Sequence, residues 1–176
     1  SKEAIAIGEK LFYQSKIDGS AYTSSSLTII ESYTNLGMAL WSVAQSFNQL
    51  PQLNQRLKFL LEAERCTRQS LELCQLIFEQ TNDKTVQYRM SDIHNNFGLI
   101  LEDLEKYSEA EKSYKIALSL RREKLGNEHY FVGQSLLNLA ACYDWQKKND
   151  EQTEQMLLEC ERIWEKLLGT SHPEIV

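Results

Sequence analysis

From residue 84 onward the apolar positions fall into two successive helical stripes. Phe97, Ile100, Leu101 and Leu104 recur at steps of three and four. After a short polar break, Ala110, Tyr114, Ala117 and Leu118 do the same. Such steps put side chains on one face of a helix with 3.6 residues per turn. The pattern predicts a first helix over about 84–103 and a second over about 107–124. Gly98, Ala110 and Ala117 lie on these stripes, where small residues let two helix axes approach closely. Gly126 and Gly169 follow second helices, where a left-handed cap favours glycine. Pro173 suits the first turn of a further helix.

The helix pair repeats. Leu125-Gly126-Asn127-Glu128-His129-Tyr130 returns 43 residues later as Leu168-Gly169-Thr170-Ser171-His172-Pro173. Asn96-Phe97-Gly98 returns 42 residues later as Asn138-Leu139-Ala140, and Thr34-Asn35-Leu36-Gly37 is an earlier copy. Glu109-Ala110-Glu111, with Tyr114, Ala117 and Leu118, echoes Glu62-Ala63-Glu64, with Thr67, Ser70 and Leu71. A later, degenerate copy is Thr153-Glu154, then Leu157 and Cys160. A fixed period of this length marks helix pairs that stack to bury their apolar faces.

These motifs resemble tetratricopeptide repeats, specifically the longer units of the kinesin light chain type. Residues 95–130 meet the family pattern most fully, 137–173 well, and 34–82 loosely. The common unit is 34 residues; a period of 42–43 adds about one turn per helix. The resemblance implies an all-α chain, a right-handed α-solenoid of antiparallel helix pairs with about seven helices. Its divisions are expected as a trailing helix in 1–22, repeats in 23–82, 83–126 and 127–169, and the start of a further repeat in 170–176. Residues 2–15 read as an amphipathic second helix with no first helix before it. Neither end carries the polar cap of a finished array, so a piece of a longer array is expected.

The first full unit departs from the period. Gly37 to Ala63 spans 26 residues, against 12 from Gly98 to Ala110. The insertion, Ser42 to Lys58, keeps helical apolar spacing on both sides of Pro51 (Val43, Ala44, Phe47; Leu53, Leu57). It reads as a projecting hairpin with about two turns added to each helix and its tip near 48–52. A loop is the alternative, which the lack of glycine disfavours.

Composition narrows the function. The 176 residues carry a net charge of -6, which disfavours nucleic acid or an anionic membrane as partner. No apolar run approaches the roughly 20 residues of a membrane helix. Cys66, Cys74, Cys142 and Cys160 form no Cys-x-x-Cys pair, so buried reduced thiols in a cytoplasmic setting are expected rather than disulfides or zinc. His129 and His172 hold the same place in successive loops, which makes their recurrence architectural. His94 falls on the packing side of a helix. No phosphate-cradling loop, metalloprotease motif or calcium loop occurs. The expectation is a scaffold or adaptor, not an enzyme, with no cofactor and no metal.

The resemblance also implies where a protein partner sits, because in the family one face of the first helices lines a concave groove. At 100° per residue His94, Phe97, Gly98 and Leu101 face the partner helix. Asp92, Asn95, Asn96, Leu99, Glu102 and Asp103 face the other way. The corresponding set is Glu31, Thr34, Asn35, Met38 and Trp41 in the first unit, and Gln134, Leu137, Asn138, Ala141, Asp144 and Trp145 in the last. Asn35, Asn96 and Asn138 thus line up. An amide offers both donor and acceptor to the backbone of an extended peptide; alternatively, these asparagines bond between neighbouring units and hold the stack. The set contains Glu31, Asp92, Glu102, Asp103 and Asp144 but no Lys or Arg. A neutral or basic extended segment is therefore the expected ligand, with Trp41, Met38 or Trp145 giving apolar contact. The rival is a structural or assembly role in which the 41–58 hairpin docks a partner or a second copy, since its Trp41, Phe47, Leu50 and Leu53 are more apolar than a solvated projection requires. A third reading is a non-catalytic regulatory repeat region of a larger enzyme.

Overall fold

The structure is a computed structural model that describes residues 10, 14, 24–47, 52–148 and 151–169. Six helices lie among the described residues: α1 (Ser24–Gln45), α2 (Leu53–Thr81), α3 (Lys84–Asp103), α4 (Tyr107–Leu125), α5 (Tyr130–Trp145) and α6 (Glu151–Leu168). Each packs mainly on its neighbours in chain order. The result is a solenoid of three helix pairs. Lys10 and Gln14 are helical. The rest of the expected trailing helix in 1–22, and the further repeat in 170–176, lie outside the described residues.

Local chemistry sets the boundaries. The Asp83 carboxylate accepts from Thr85 N at 2.8 Å and caps α3. His129 Nδ1 accepts from Phe131 N at 3.2 Å and caps α5. A side-chain acceptor at this point satisfies a backbone donor that the first turn leaves open. The Leu-Gly…His motif is thus a helix stop followed by a helix start. Asn82, Gly126 and Gly169 take positive φ after their helices. Glu105 and Lys147, 42 residues apart, take φ of 58° and 55° in the same turn of successive units.

Tight pairing inside each unit depends on glycine. A Cβ on Gly98 would sit 2.3 Å from the Tyr114 ring, and one on Gly133 2.4 Å from Trp164 Nε1. Tyr114 is fully buried. Trp164 stacks on Tyr130 and donates from Nε1 to the Tyr130 carbonyl at 3.2 Å. The absent side chain on one helix makes room for an aromatic on its partner. The core then runs across unit boundaries. Phe97, Leu101 and Tyr114 share one cluster with Val132, Leu136 and Ile163. Ile30 and Ile77 share another with Val86 and Ile93.

The seams between units carry a second, electrostatic register. Glu64 in α2 accepts from Lys106 Nζ at 2.8 Å and from Arg68 at 2.9 Å. Glu111, its repeat equivalent in α4, accepts from Lys148 at 2.9 Å, Lys115 at 2.7 Å, the Tyr143 hydroxyl and Gln146. Lys106 and Lys148 occupy the same turn of successive units. Burial alone would raise both carboxyls. The bonds from Lys106 and Arg68 instead hold Glu64 below its usual range, and those from Lys115, Lys148 and Gln146 bring Glu111 down to about 2.

The extended hairpin differs from its expected form. By repeat alignment α1 runs only three residues past the equivalent of the α3 end, while α2 starts seven residues before the equivalent of Tyr107. The extension is about one turn on α1 and two on α2. Its base is pinned rather than free. Asp103 at the end of α3 accepts from Trp41 Nε1, Gln45 Nε2 and Arg56 Nη2, each at 2.5 Å. A cluster of donors from two helices onto one carboxylate draws the hairpin against the next unit.

Two outcomes follow for stability. Gly98→Ala must displace the buried Tyr114 ring, a loss of about 2 kcal/mol by the usual cost of overpacking. The melting temperature followed by circular dichroism should fall by roughly 4–8 °C. The second concerns His94. Burial pushes its imidazole from 6.5 down to about 4, and its Nδ1 has no hydrogen-bond partner. The unfolded chain then binds the extra proton between pH 6.5 and 4, so stability falls as pH drops through that window. Between pH 7 and pH 5 the loss should be about 2 kcal/mol. Urea midpoints at the two pH values should show it in the wild type and not in His94→Leu.

Candidate functional site

The C-terminal ends of the three first helices converge with the following turns on one open cleft of about 440 Å³. Trp41 and Gln45 of α1 and Arg56 of α2 form one wall. Leu99, Glu102 and Asp103 of α3 form the floor, with Glu105 from the turn after it and Tyr107 from the start of α4. Trp145 of α5 closes the far side. Tyr107 and Trp145 stack with centroids 6.5 Å apart and planes 8° from parallel. Trp145 nevertheless remains 64% exposed, a large apolar surface to leave in water.

The cleft gathers five residues expected from sequence: Trp41, Leu99, Glu102, Asp103 and Trp145. It adds four that were not expected: Gln45, Arg56, Glu105 and Tyr107. These four come from the hairpin extension, from the turn after α3 and from the first residue of α4. A reading of first-helix faces alone does not reach them. Ala141 and Asp144 fall elsewhere, in a second cleft of about 660 Å³ with Leu137, Glu154 and Leu157 between α5 and α6.

Charge in the cleft is partly cancelled from within. Asp103 is paired with Arg56. Glu102 accepts from the Tyr114 hydroxyl at 3.0 Å, and burial raises its carboxyl above the usual range. The Glu105 side chain is exposed and makes no hydrogen bond or ion pair among the described residues. The same cancellation operates nearby. Glu31 pairs with Arg89 at 2.6 Å, and Asp92 with Arg121 at 2.9 Å. The first-helix set does lack Lys and Arg. The cations arrive from α2, from another face of α3 and from α4.

The asparagine line divides. Asn95, expected on the open face, is instead 4% exposed. Its Oδ1 accepts from Arg121 Nη1 at 3.2 Å and from Asn138 Nδ2 at 3.1 Å. Asn138 thereby joins one unit to the next. Arg121 also donates to the Phe131 carbonyl, Ser135 and, at 3.4 Å, Gln134. This network uses up Asn95, Asn138, Gln134 and Asp92 as seam material. Asn35 is exposed and Asn96 half-buried, and neither amide has a partner among the described residues. Thr34 points back into its own unit, bonding to the Ile30 carbonyl and Ser70. Met38 is half-buried on α1. At the hairpin, Phe47 stacks on Phe59 at 5.5 Å, Leu53 is 55% exposed, and Leu50 lies outside the described residues.

Reactive chemistry is sparse around these clefts. All four cysteines are free and buried. Burial pushes the Cys74 thiol up to about 12 and Cys142 up to about 11, away from the thiolate form a nucleophile needs. Among the described residues no group of three His, Cys, Asp or Glu is placed to hold a metal ion. No described helix is long and apolar enough to cross a membrane.

Comparison with known proteins agrees with this architecture. A family model described as tetratricopeptide repeat matches residues 89–166. This stretch is a tetratricopeptide repeat array. The chain is 25% identical over 81 residues to histone-binding protein N1/N2 of Xenopus laevis. That match covers 46% of this chain and only 14% of the relative's length. Among solved structures, BtubC (BKLC) from P. vanneervenii superposes with a TM-score of 0.51 at 14% identity. The superposition covers 87% of this chain and 62% of that one, and is a likeness of fold alone.

The Arg121 network should be the costliest in the array to break. Arg121→Met removes a guanidinium whose side chain is 3% exposed and leaves Asn95 and Ser135 short of a donor. A loss of about 3–5 kcal/mol is expected from stranding buried polar partners. Urea denaturation should report it, with the melting temperature dropping more than for Gly98→Ala.

Proposed function

We propose that this array is a protein-interaction module that holds an extended segment of a partner protein in the cleft between Trp41 and Trp145. The observation that carries the reading is the convergence of Trp41, Leu99 and Trp145, from three successive units, on one open cleft. Exposed aromatics in a concave site are the usual anchors of a binding surface. Asn35 and Asn96, the two asparagines with unengaged amides, supply backbone-pairing groups on the same helices. The repeat type is generally a scaffold rather than a catalytic fold.

A neutral or basic segment fits the charge that remains. The Glu105 carboxylate is unpaired and Glu102 lies beside it, whereas Arg56, the only cation lining the cleft among the described residues, is engaged by Asp103. The Xenopus relative is named for binding histones, which are basic proteins, and this agrees with the same ligand class. A cytoplasmic adaptor role is part of the proposal.

A second reading rests on its own observation. Leu53, Leu57 and Leu61 stand 55%, 49% and 48% exposed at successive four-residue steps along α2. That is an uncovered helical stripe on the hairpin, suited to an assembly contact.

One set of pull-downs separates the two. Proteins captured by the wild type should be lost with Trp145→Ala and weakened with Asn96→Ala, and retained with Leu57→Asp. Peptides tiled from the captured partner should then bind about tenfold more tightly when basic than when matched and acidic. Retention on Trp145→Ala with loss on Leu57→Asp would move the interface to the hairpin; tighter acidic peptides would reject the charge assignment.

A further inference from the structure

The fold contains its own solution to holding a guanidinium. Arg68 lies over the Phe97 ring, 4.9 Å from its centroid, and pairs with Glu64 and Glu109. Arg121 lies over the Phe131 ring at 5.2 Å and pairs with Asp92. In both cases an aromatic face takes the flat cation while a carboxylate takes its N–H groups. The two forces act on different parts of the group and add.

The cleft offers the same two elements with the cation absent. The parallel Tyr107–Trp145 pair supplies aromatic surface, and Trp145 is open to solvent. Glu105 supplies an unengaged carboxylate in the turn between α3 and Tyr107. Glu102, half-buried on the floor, adds negative potential without reaching outward. Arg56 does not fill the role, because its guanidinium is turned to Asp103 at 2.5 Å. The positive φ at Glu105 recurs at Lys147 and belongs to the repeat turn, so it is no sign of a site by itself.

We propose that the cleft receives an arginine side chain of the partner segment, stacked on Trp145 and paired with Glu105. The proposal rests on the groove reading only for the protein that carries this arginine. Arginine is favoured over lysine because a planar guanidinium meets an aromatic face and a carboxylate edge together, whereas an ammonium is a strongly hydrated point charge.

The three tryptophans make the test direct. Trp41 and Trp145 line the cleft, and Trp164 is buried against Tyr130 as an internal control. The whole chain, labelled with 15N, is titrated with N-acetyl-arginine amide while the indole N–H signals are followed. The Trp145 and Trp41 signals should shift saturably and Trp164 should not. The citrulline analogue, which keeps the shape and loses the charge, should bind at least tenfold more weakly. Lysine amide should bind about threefold or more weakly, and Glu105→Gln should cut arginine binding several-fold without moving the melting temperature. Absence of a saturable shift, equal binding of citrulline or lysine, or no effect of Glu105→Gln overturns the proposal. If arginine amide fails while Trp145→Ala still loses a captured partner, the arginine subsite falls and the groove reading stands. If arginine amide binds and no Trp145-dependent partner exists, the reverse holds.

Discussion

A carboxylate taken out of water must be met by a cation, and the stacking of this array is organised around that requirement. Glu64 and Glu111 leave only 9% and 15% of their side chains exposed. Unpaired, each would cost several kcal/mol, so the next unit supplies a lysine from its inter-helix turn. Lys106 answers Glu64 and Lys148 answers Glu111. These contacts fix more than the spacing of units. Lys106 sits between Glu105 and Tyr107, so its engagement sets where that turn presents both cleft residues. Lys148 does the same for the turn after Trp145. The cleft's walls are therefore positioned by seams that lie behind it.

Packing within a unit obeys a different constraint. Gly98 and Gly133 contribute space, and Tyr114 and Trp164 fill it. The aromatic then finds a polar partner on the opposite helix, Glu102 for the Tyr114 hydroxyl and the Tyr130 carbonyl for the Trp164 indole. Buried aromatics with a polar tip need such partners. For Tyr114 the partner lies on the cleft floor. Core packing and the electrostatics of the cleft thus meet in one hydrogen bond.

Much of the architecture was legible in the sequence because helical periodicity and repetition are properties of the chain itself. The 84–103 and 107–124 helices, the close approach at Gly98 and the helix stop at Gly126 all follow from residue spacing, whereas the capping bond at His129 does not. The hairpin's asymmetry was not legible. Apolar spacing on both sides of Pro51 signals two helices and does not say how the extra residues divide between them. The division is tied to Asp103, which gathers Trp41, Gln45 and Arg56 from positions 47–62 residues away. Asn95 was misplaced for a related reason. A helical wheel separates the faces of one helix, but Asn95 is covered by Arg121 from its own partner helix and by Asn138 from across the seam.

The acidic character of the inner face has the same origin. Read along first helices, the face has five carboxylates and no cation. In space Arg89 meets Glu31, Arg121 meets Asp92 and Arg56 meets Asp103, over separations of 58, 29 and 47 residues. In a solenoid a charge is normally balanced by a neighbouring helix or unit, so a single-helix inventory overstates the field a ligand meets. What survives the cancellation is local. Glu105 stands unpaired beside Trp145 and Tyr107, and partly buried Glu102 lies under them. A broad acidic surface would attract any basic chain through long-range and salt-screened forces. A single unpaired carboxylate against an aromatic stack selects for one cation of suitable shape, and it does so at a fixed position along the bound segment.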